Sequence, residues 1–369
     1  MASTATPHKI RLEWLDALRG FTMIMVVANH VCGSAFFVPY KASASMQLLI
    51  LFRMPLFFFI SGFLAYKAGQ IWDACYLWES LKKKFRIQTI PTIFFFLFAA
   101  AVLGTGFEET ARKWLSEPMK GGYWFTIVLL YMFIVYYLYC YIEHLFTAKL
   151  TTTAAQRVSL IMIIVLFIIS ICFYETCYQP RYFEWAVGHK GPGNDFMDYT
   201  SLGQLFMYFP FFIYGNMVRR YWDKAQCIMD SIWFFPMLIV LVVFSALDST
   251  RWHTLRMAWA IIPLTLARFS LLTMVFMYFR HYHQYFTKMT WIGRTFQYIG
   301  RRTLDIYLIH YLFLPNLPTI GSFFNSYRHN FVLDTTLAVL IAMIVIAFSV
   351  LLSNILRISP IFKKYLFGR

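Results

Sequence analysis

Runs of apolar residues long enough to cross a bilayer recur along the whole chain, separated by short charged breaks. A helix needs about 18 or more such residues to span about 30 Å of hydrocarbon. The breaks predict ten membrane helices, over residues 14–37, 46–66, 86–106, 123–145, 157–175, 202–219, 232–248, 258–279, 301–320 and 331–355. The seventh is short and the ninth is interrupted by proline. The expected fold is an all-α, polytopic membrane helix bundle: a segment 1–13, a transmembrane domain 14–355 and a basic tail 356–369. No small-residue cleavage site follows the first apolar run, so it is expected to be a retained helix rather than a cleaved signal peptide.

The cations test this count, because cytoplasmic loops carry the excess of Lys and Arg. With ten spans, the N-terminus, the even-numbered loops and the C-terminus hold 21 cations and the odd-numbered loops hold 9. Both termini are therefore expected in the cytoplasm. With cations at span ends counted in the adjoining loops, only Arg19, Arg53 and Arg268 of the 33 remain inside spans.

Composition agrees with a membrane protein: 60% of residues are hydrophobic and 14% are charged, against about 45–50% and 25% in soluble domains. The net charge of +16 does not point to nucleic acid, because the cations punctuate apolar segments instead of forming a basic face. The 6 cysteines are scattered without CxxC or zinc-ligand spacing, so no metal site is expected. Aromatic residues, 20% of the chain, gather at span ends such as Gly122-Tyr-Trp-Phe125, where amphipathic rings suit the headgroup zone.

Charge inside a span is costly and commonly marks a site or pathway. Arg19 and His30 share the first span, eleven residues apart, which places them within about 20° on one helix face and about 16 Å apart along it. Asp16 lies on the same face, one turn from Arg19, and can pair with it. The first helix runs outward and the second inward, so His30 and Arg53 both lie about 10 Å below the outer surface. A cation beside an imidazole favours its neutral form, which a general base needs.

These residues carry a resemblance. Leu15-Asp-Ala-Leu-Arg-Gly20 through Asn29-His30 resembles the opening of the acyltransferase-3 family, whose first helix bears an Arg-x10-His pattern. Phe52-Arg-Met-Pro-Leu-Phe-Phe-Phe-Ile-Ser-Gly-Phe63, Tyr208-Phe-Pro-Phe-Phe-Ile-Tyr-Gly215 and Gly300-Arg-Arg-Thr-Leu-Asp-Ile-Tyr-Leu-Ile-His310 resemble its second, middle and late motifs, in that order. The resemblance implies transfer of an acyl group, often acetyl, from cytoplasmic acyl-CoA to a hydroxyl of a glycan or lipid-linked sugar at the outer face. It implies that His30 is the catalytic base and that Arg19 handles the donor. Arg53 is expected to stabilise developing charge. Lys83-x-x-Arg86 stands where the family has Arg-x-x-Arg, keeping both charges but only one guanidinium. Lys83 and Arg86 are thus donor-phosphate candidates, Arg86 the better, whereas Lys82 and Lys84 read equally as membrane-anchoring cations.

Other residues admit two readings. Trp124, at the outer entrance of the fourth span, lines an acceptor cleft or anchors at the interface. Ser61 has no Gly-x-Ser-x-Gly setting and reads as helix packing. Asp305 and His310 diverge by about 140° on a helix, so they do not face each other and read as packing. Glu184, His189, Asp195 and Asp198, in the longest outer loop, touch a sugar or are solvated. The expected setting is the inner (plasma) membrane of a bacterial cell. Expected partners are acyl-CoA, the acceptor, the bilayer and polysaccharide-assembly proteins, with no bound cofactor. The rival reading is a transporter of lipid-linked sugars or small anions that uses Arg19, Arg53 and His30 as a charged pathway. A scaffold within a polysaccharide-export assembly is the third.

Overall fold

The computed structural model describes residues 12–38, 43–104, 106–174, 196–252, 262–326 and 331–367. Among the described residues there are helices and no strands. The first half comprises α1 (Glu13–His30), continued by a π turn (Val31–Ala35), then α2 (Ala44–Ala65), α3 (Ala74–Leu103), α4 (Phe107–Ser116), α5 (Trp124–Thr147) and α6 (Thr152–Phe173). The second half comprises α7 (Phe196–Thr200), α8 (Leu202–Arg220), α9 (Trp222–Met229), α10 (Phe234–Trp252), α11 (Ile262–His281), α12 (Trp291–Arg301), α13 (Thr303–Ile309), α14 (Pro318–Ser326), α15 (Phe331–Leu356) and α16 (Pro360–Tyr365).

Nine of the ten apolar runs coincide with single helices. The ninth does not: α13 passes into a 3-10 turn at His310–Phe313 and the chain then runs non-helically to α14. Pro315 and Pro318 lack the N–H that a continuing helix needs, and Pro318 instead starts α14. Judged by length, hydropathy and charge, six described helices qualify as membrane spans, or seven if α9 and α10, bent by 76°, form one. The expected ten is not reached on that measure.

A second correction concerns α3. It begins at Ala74, twelve residues before the predicted start, because Asp73 caps it by accepting from the Tyr76 N–H at 2.7 Å. The basic run Lys82–Arg86 therefore lies on a helix, with a defined face, and not in a loop. Ser43 caps α2 in the same way, accepting from the Met46 N–H at 3.0 Å.

Two glycine pairs set the closest crossings. Between α1 and α12, a Cβ on Gly20 would lie 1.9 Å from the Phe296 carbonyl oxygen, and one on Gly300 would lie 1.8 Å from that of Asp16. Between α2 and α8, Gly62 and Gly215 stand in the same relation to Phe212 and Phe59, at 1.8 and 2.0 Å. Small residues let helix backbones approach where lipid offers no hydrophobic gain on association. All four glycines belong to the four sequence segments that carry the resemblance, which thus act partly as helix-crossing points.

Burial ranks the helices. The first span is central, with 78% of its apolar window buried, whereas α6 has 11% and α15 has 33%, and their exposed Ile, Leu and Phe side chains suit lipid. Two of the charges that remain inside pair with carboxylates: Arg220 clamps Glu143 with both terminal nitrogens, and Arg357 donates to Asp305 at 2.6 Å.

Candidate active site

His30 is the last residue of α1, where the helix loosens into the π turn, a local form often found at functional sites. Its Nε2 is 3.2 Å from the Tyr311 hydroxyl. The His310 ring lies 5.2 Å from that of His30 and 4.0 Å from that of Tyr311. His310 Nδ1 faces two carbonyl oxygens, Tyr307 at 2.8 Å and Ile306 at 3.1 Å, so that nitrogen carries the hydrogen and donates. Its Nε2 is then a bare acceptor, buried and without a hydrogen-bond partner. His310, read from the sequence as packing, is buried and stands beside His30. Asp305 does diverge from it, toward Arg357 and Ser353 Oγ at 2.7 Å.

Arg53 comes from α2, which packs against α1. With the Asn29 amide oxygen turned toward the guanidinium, it accepts from both terminal nitrogens at 3.2 Å. The Arg53 charge acts on His30 and on Tyr311. Arg53 thus belongs to the same cluster as His30, and Asn29, next in sequence to His30, holds the arginine there.

Backbone contacts fasten this cluster to the start of α5. Tyr307 donates its hydroxyl to the Gly122 carbonyl and accepts from the Phe125 N–H at 3.1 Å; Tyr123 donates to the Leu308 carbonyl at 3.1 Å. Gly122 has φ +102°, and a Cβ there would lie 2.3 Å from the Tyr311 hydroxyl. Only glycine takes that backbone conformation readily and leaves room for Tyr311.

At the other end of the α1 face, Arg19 donates to Thr303 Oγ1 at 2.9 Å and borders a cavity of about 410 Å³. Lys67, Lys83 and Lys84 also line it, and among the described residues no carboxylate does. The α3 lining residues are Ser80, Lys83, Lys84, Ile87 and Gln88, one helical face by their spacing of three and four. Arg86 lies about 130° from the centre of that face and is exposed. Arg86 therefore does not line the cavity, whereas Lys84 enters it, its Nζ 3.4 Å above the Phe133 ring centroid. Phe57, Phe125, Leu129 and Phe133 form apolar walls, with Phe57 and Phe125 in edge contact at 4.9 Å.

The remaining expectations divide. Asp16 is buried beneath the Gly300 crossing and does not line the cavity. Trp124 does not line this cavity: it is buried and stacked on Tyr208, with centroids 5.5 Å apart. Ser61 lines the cavity while donating to the Phe57 carbonyl at 2.9 Å, a backbone-bonding role. Asp198 offers its carbonyl to Lys120, whereas Glu184, His189 and Asp195 lie outside the described residues.

The arrangement is a cluster of His30, His310 and Tyr311 and a cationic cavity at opposite ends of one helix face, about 16 Å apart by helical rise. Such a pairing suits a substrate with an anionic end and a reactive end. Neither a curated protein nor a solved structure matches the chain. A family model described as an acyltransferase domain matches residues 12–354. The match covers nearly the whole chain, including both ends of the site, and the chain belongs to the acyltransferase-3 family of membrane acyltransferases.

Proposed function

We propose that this acyltransferase moves an acetyl group from cytoplasmic acyl-CoA to a hydroxyl of a glycan or lipid-linked sugar presented at the outer face of the membrane. The observation that carries the reading is the cavity at the Arg19 end of the helix that bears His30, lined among the described residues by four cations and no carboxylate. Phosphates are held by such cations, with guanidinium adding a directional fork. An extended pantetheine arm is on the scale of the interval between Arg19 and His30. The excess of Lys and Arg in the breaks on the Arg19 side supports donor entry from the cytoplasm.

In the reaction His30 takes the proton of the acceptor hydroxyl as its oxygen attacks the thioester carbonyl carbon. The new C–O bond forms, the C–S bond breaks, and the proton returns from His30 to the departing CoA thiolate. Arg53, held by Asn29, faces the negative charge that builds on the carbonyl oxygen. Lys67, Lys83, Lys84 and Arg19 bind the donor phosphates. Arg86 and Lys82 serve as surface cations.

The test is mass spectrometry of surface glycans from cells with and without the protein, alongside acetyl-CoA binding by the purified chain in detergent. Loss of acetyl groups together with micromolar or tighter donor binding supports the reading. A transporter has no reason to bind acetyl-CoA, and unaltered glycans with no donor binding would favour that class.

A further inference from the structure

Gln88 lies on the cavity face of α3, one turn past Lys84 and about 6 Å further along the helix. It is only 7% exposed, it lines the cavity, and its Oε1 has no hydrogen-bond partner among the described residues. A buried amide oxygen left without a donor is costly, so such atoms are nearly always satisfied in the working molecule. The neighbours do not supply that donor. Lys84 sits over the Phe133 ring, and the Ser61 hydroxyl donates to the Phe57 carbonyl. Ile87, Phe125 and Leu129 are apolar.

The backbone around Gln88 is held firmly. Its carbonyl accepts from Thr92 Oγ1 at 2.6 Å, and Thr92 in turn meets Thr126 Oγ1 of α5 at 2.8 Å. The carboxamide thus projects from a fixed position into a space bounded by cations at one end and by Phe57 and Phe125 at the other. Phe57 is one turn of α2 from Arg53, so the apolar end faces the His30 cluster. Read from Lys67 inward, the lining runs cations, carboxamide, aromatic wall.

We infer that Gln88 recognises a secondary amide of the pantetheine arm. Oε1 accepts the arm's amide N–H, and the carboxamide NH2 is available to its carbonyl. The inference rests on the acyl-CoA reading and adds to it a residue that selects donors carried on pantetheine over simple acyl thioesters. The order of chemistry in the cavity then matches the order in the donor: phosphates, amide-bearing arm, thioester.

The test uses the full-length chain in detergent and four kinds of probe: CoA, pantetheine, adenosine 3′,5′-bisphosphate, and two pantetheine analogues in which one or the other amide is replaced by an ester. Gln88→Met should weaken CoA and pantetheine about tenfold, the scale of one hydrogen bond, and leave adenosine 3′,5′-bisphosphate unchanged, which also shows that the variant is folded. Wild type should bind one ester analogue about tenfold more weakly than pantetheine, and Gln88→Met should not distinguish them. If wild type binds pantetheine and both ester analogues equally, the assignment of Gln88 falls and the acyl-CoA reading stands. If wild type binds no CoA, that reading falls and this inference with it.

Discussion

Replacing Gly62 by alanine tests the crossing that sets α2, and with it Arg53 and Ser61, against the rest of the bundle. The added methyl carbon would lie 1.8 Å from the Phe212 carbonyl oxygen and 2.6 Å from its carbon, where ordinary contact begins at 3.4 Å. The obstacle is backbone of α8, so no side-chain rotation relieves it; the helices must part by about 1.6 Å. Intrinsic propensity acts the other way, since alanine in a helix interior is favoured over glycine by about 1 kcal/mol. Overpacking costs about 1–3 kcal/mol and more where nothing flexible can move, so the net expectation is a loss of about 2 kcal/mol. Thermal unfolding followed by tryptophan fluorescence in detergent should show Gly62→Ala several degrees below wild type. Gly33→Ala is the control, because its Cβ would meet only the flexible end of Met46 at 3.4 Å. Equal stability of Gly62→Ala and wild type would refute the crossing as described.

Three further outcomes follow from the site. Lys84→Met should weaken CoA binding about tenfold or more, while Arg86→Gln changes it less than twofold, because only the first points into the cavity; equal effects, read by donor competition, would contradict the helix face. Tyr311→Phe removes the hydroxyl 3.2 Å from His30 Nε2 and should lower kcat about tenfold with the KM for acyl-CoA unchanged; a change confined to KM would place Tyr311 in donor binding instead. Lys120→Met leaves the carbonyls of Leu115, Glu117 and Asp198 without the ammonium that each accepts from at 2.7–2.8 Å. It should cost about 2–3 kcal/mol of stability without altering donor affinity, and unaltered unfolding would show that water replaces the ammonium freely.

Legibility in the sequence followed the range of the interactions. The apolar runs announced nine helices because hydrocarbon solvation is a local property of each segment. The Arg19 and His30 spacing was readable for the same reason: helix geometry relates two positions eleven residues apart without any knowledge of neighbours. The basic run was misread by one step. Treated as a loop it has no face, and a motif then favours Arg86; with α3 starting at Ala74, the spacing of Ser80, Lys83, Lys84, Ile87 and Gln88 selects Lys84 instead. The Asp73 cap was the available signal.

Other features depended on contacts that no local pattern encodes. His310 joins His30 across 280 positions of chain, and its divergence from Asp305, correctly read, says nothing about what it meets on the other side. Trp124 has the composition of an interfacial anchor, yet it is stacked in an aromatic cluster formed with Tyr208 and Phe58. Lys67 and Thr303 enter the Arg19 cavity from other segments, and Gln88 has no sequence signature beyond its place on the α3 face. The glycines were visible as motif ends, but their purpose needed the facing carbonyls.

On the proposed reading donor binding lies at one end of the α1 face and proton transfer at the other, so a single variant should separate them. The most direct measurement is CoA release from acetyl-CoA together with CoA affinity, made on the same preparation of purified His30→Ala. The expected result is loss of acetyl transfer, by about a hundredfold or more as for removal of a general base, with CoA affinity equal to that of wild type. Undiminished acetyl transfer by His30→Ala would contradict the account at its centre.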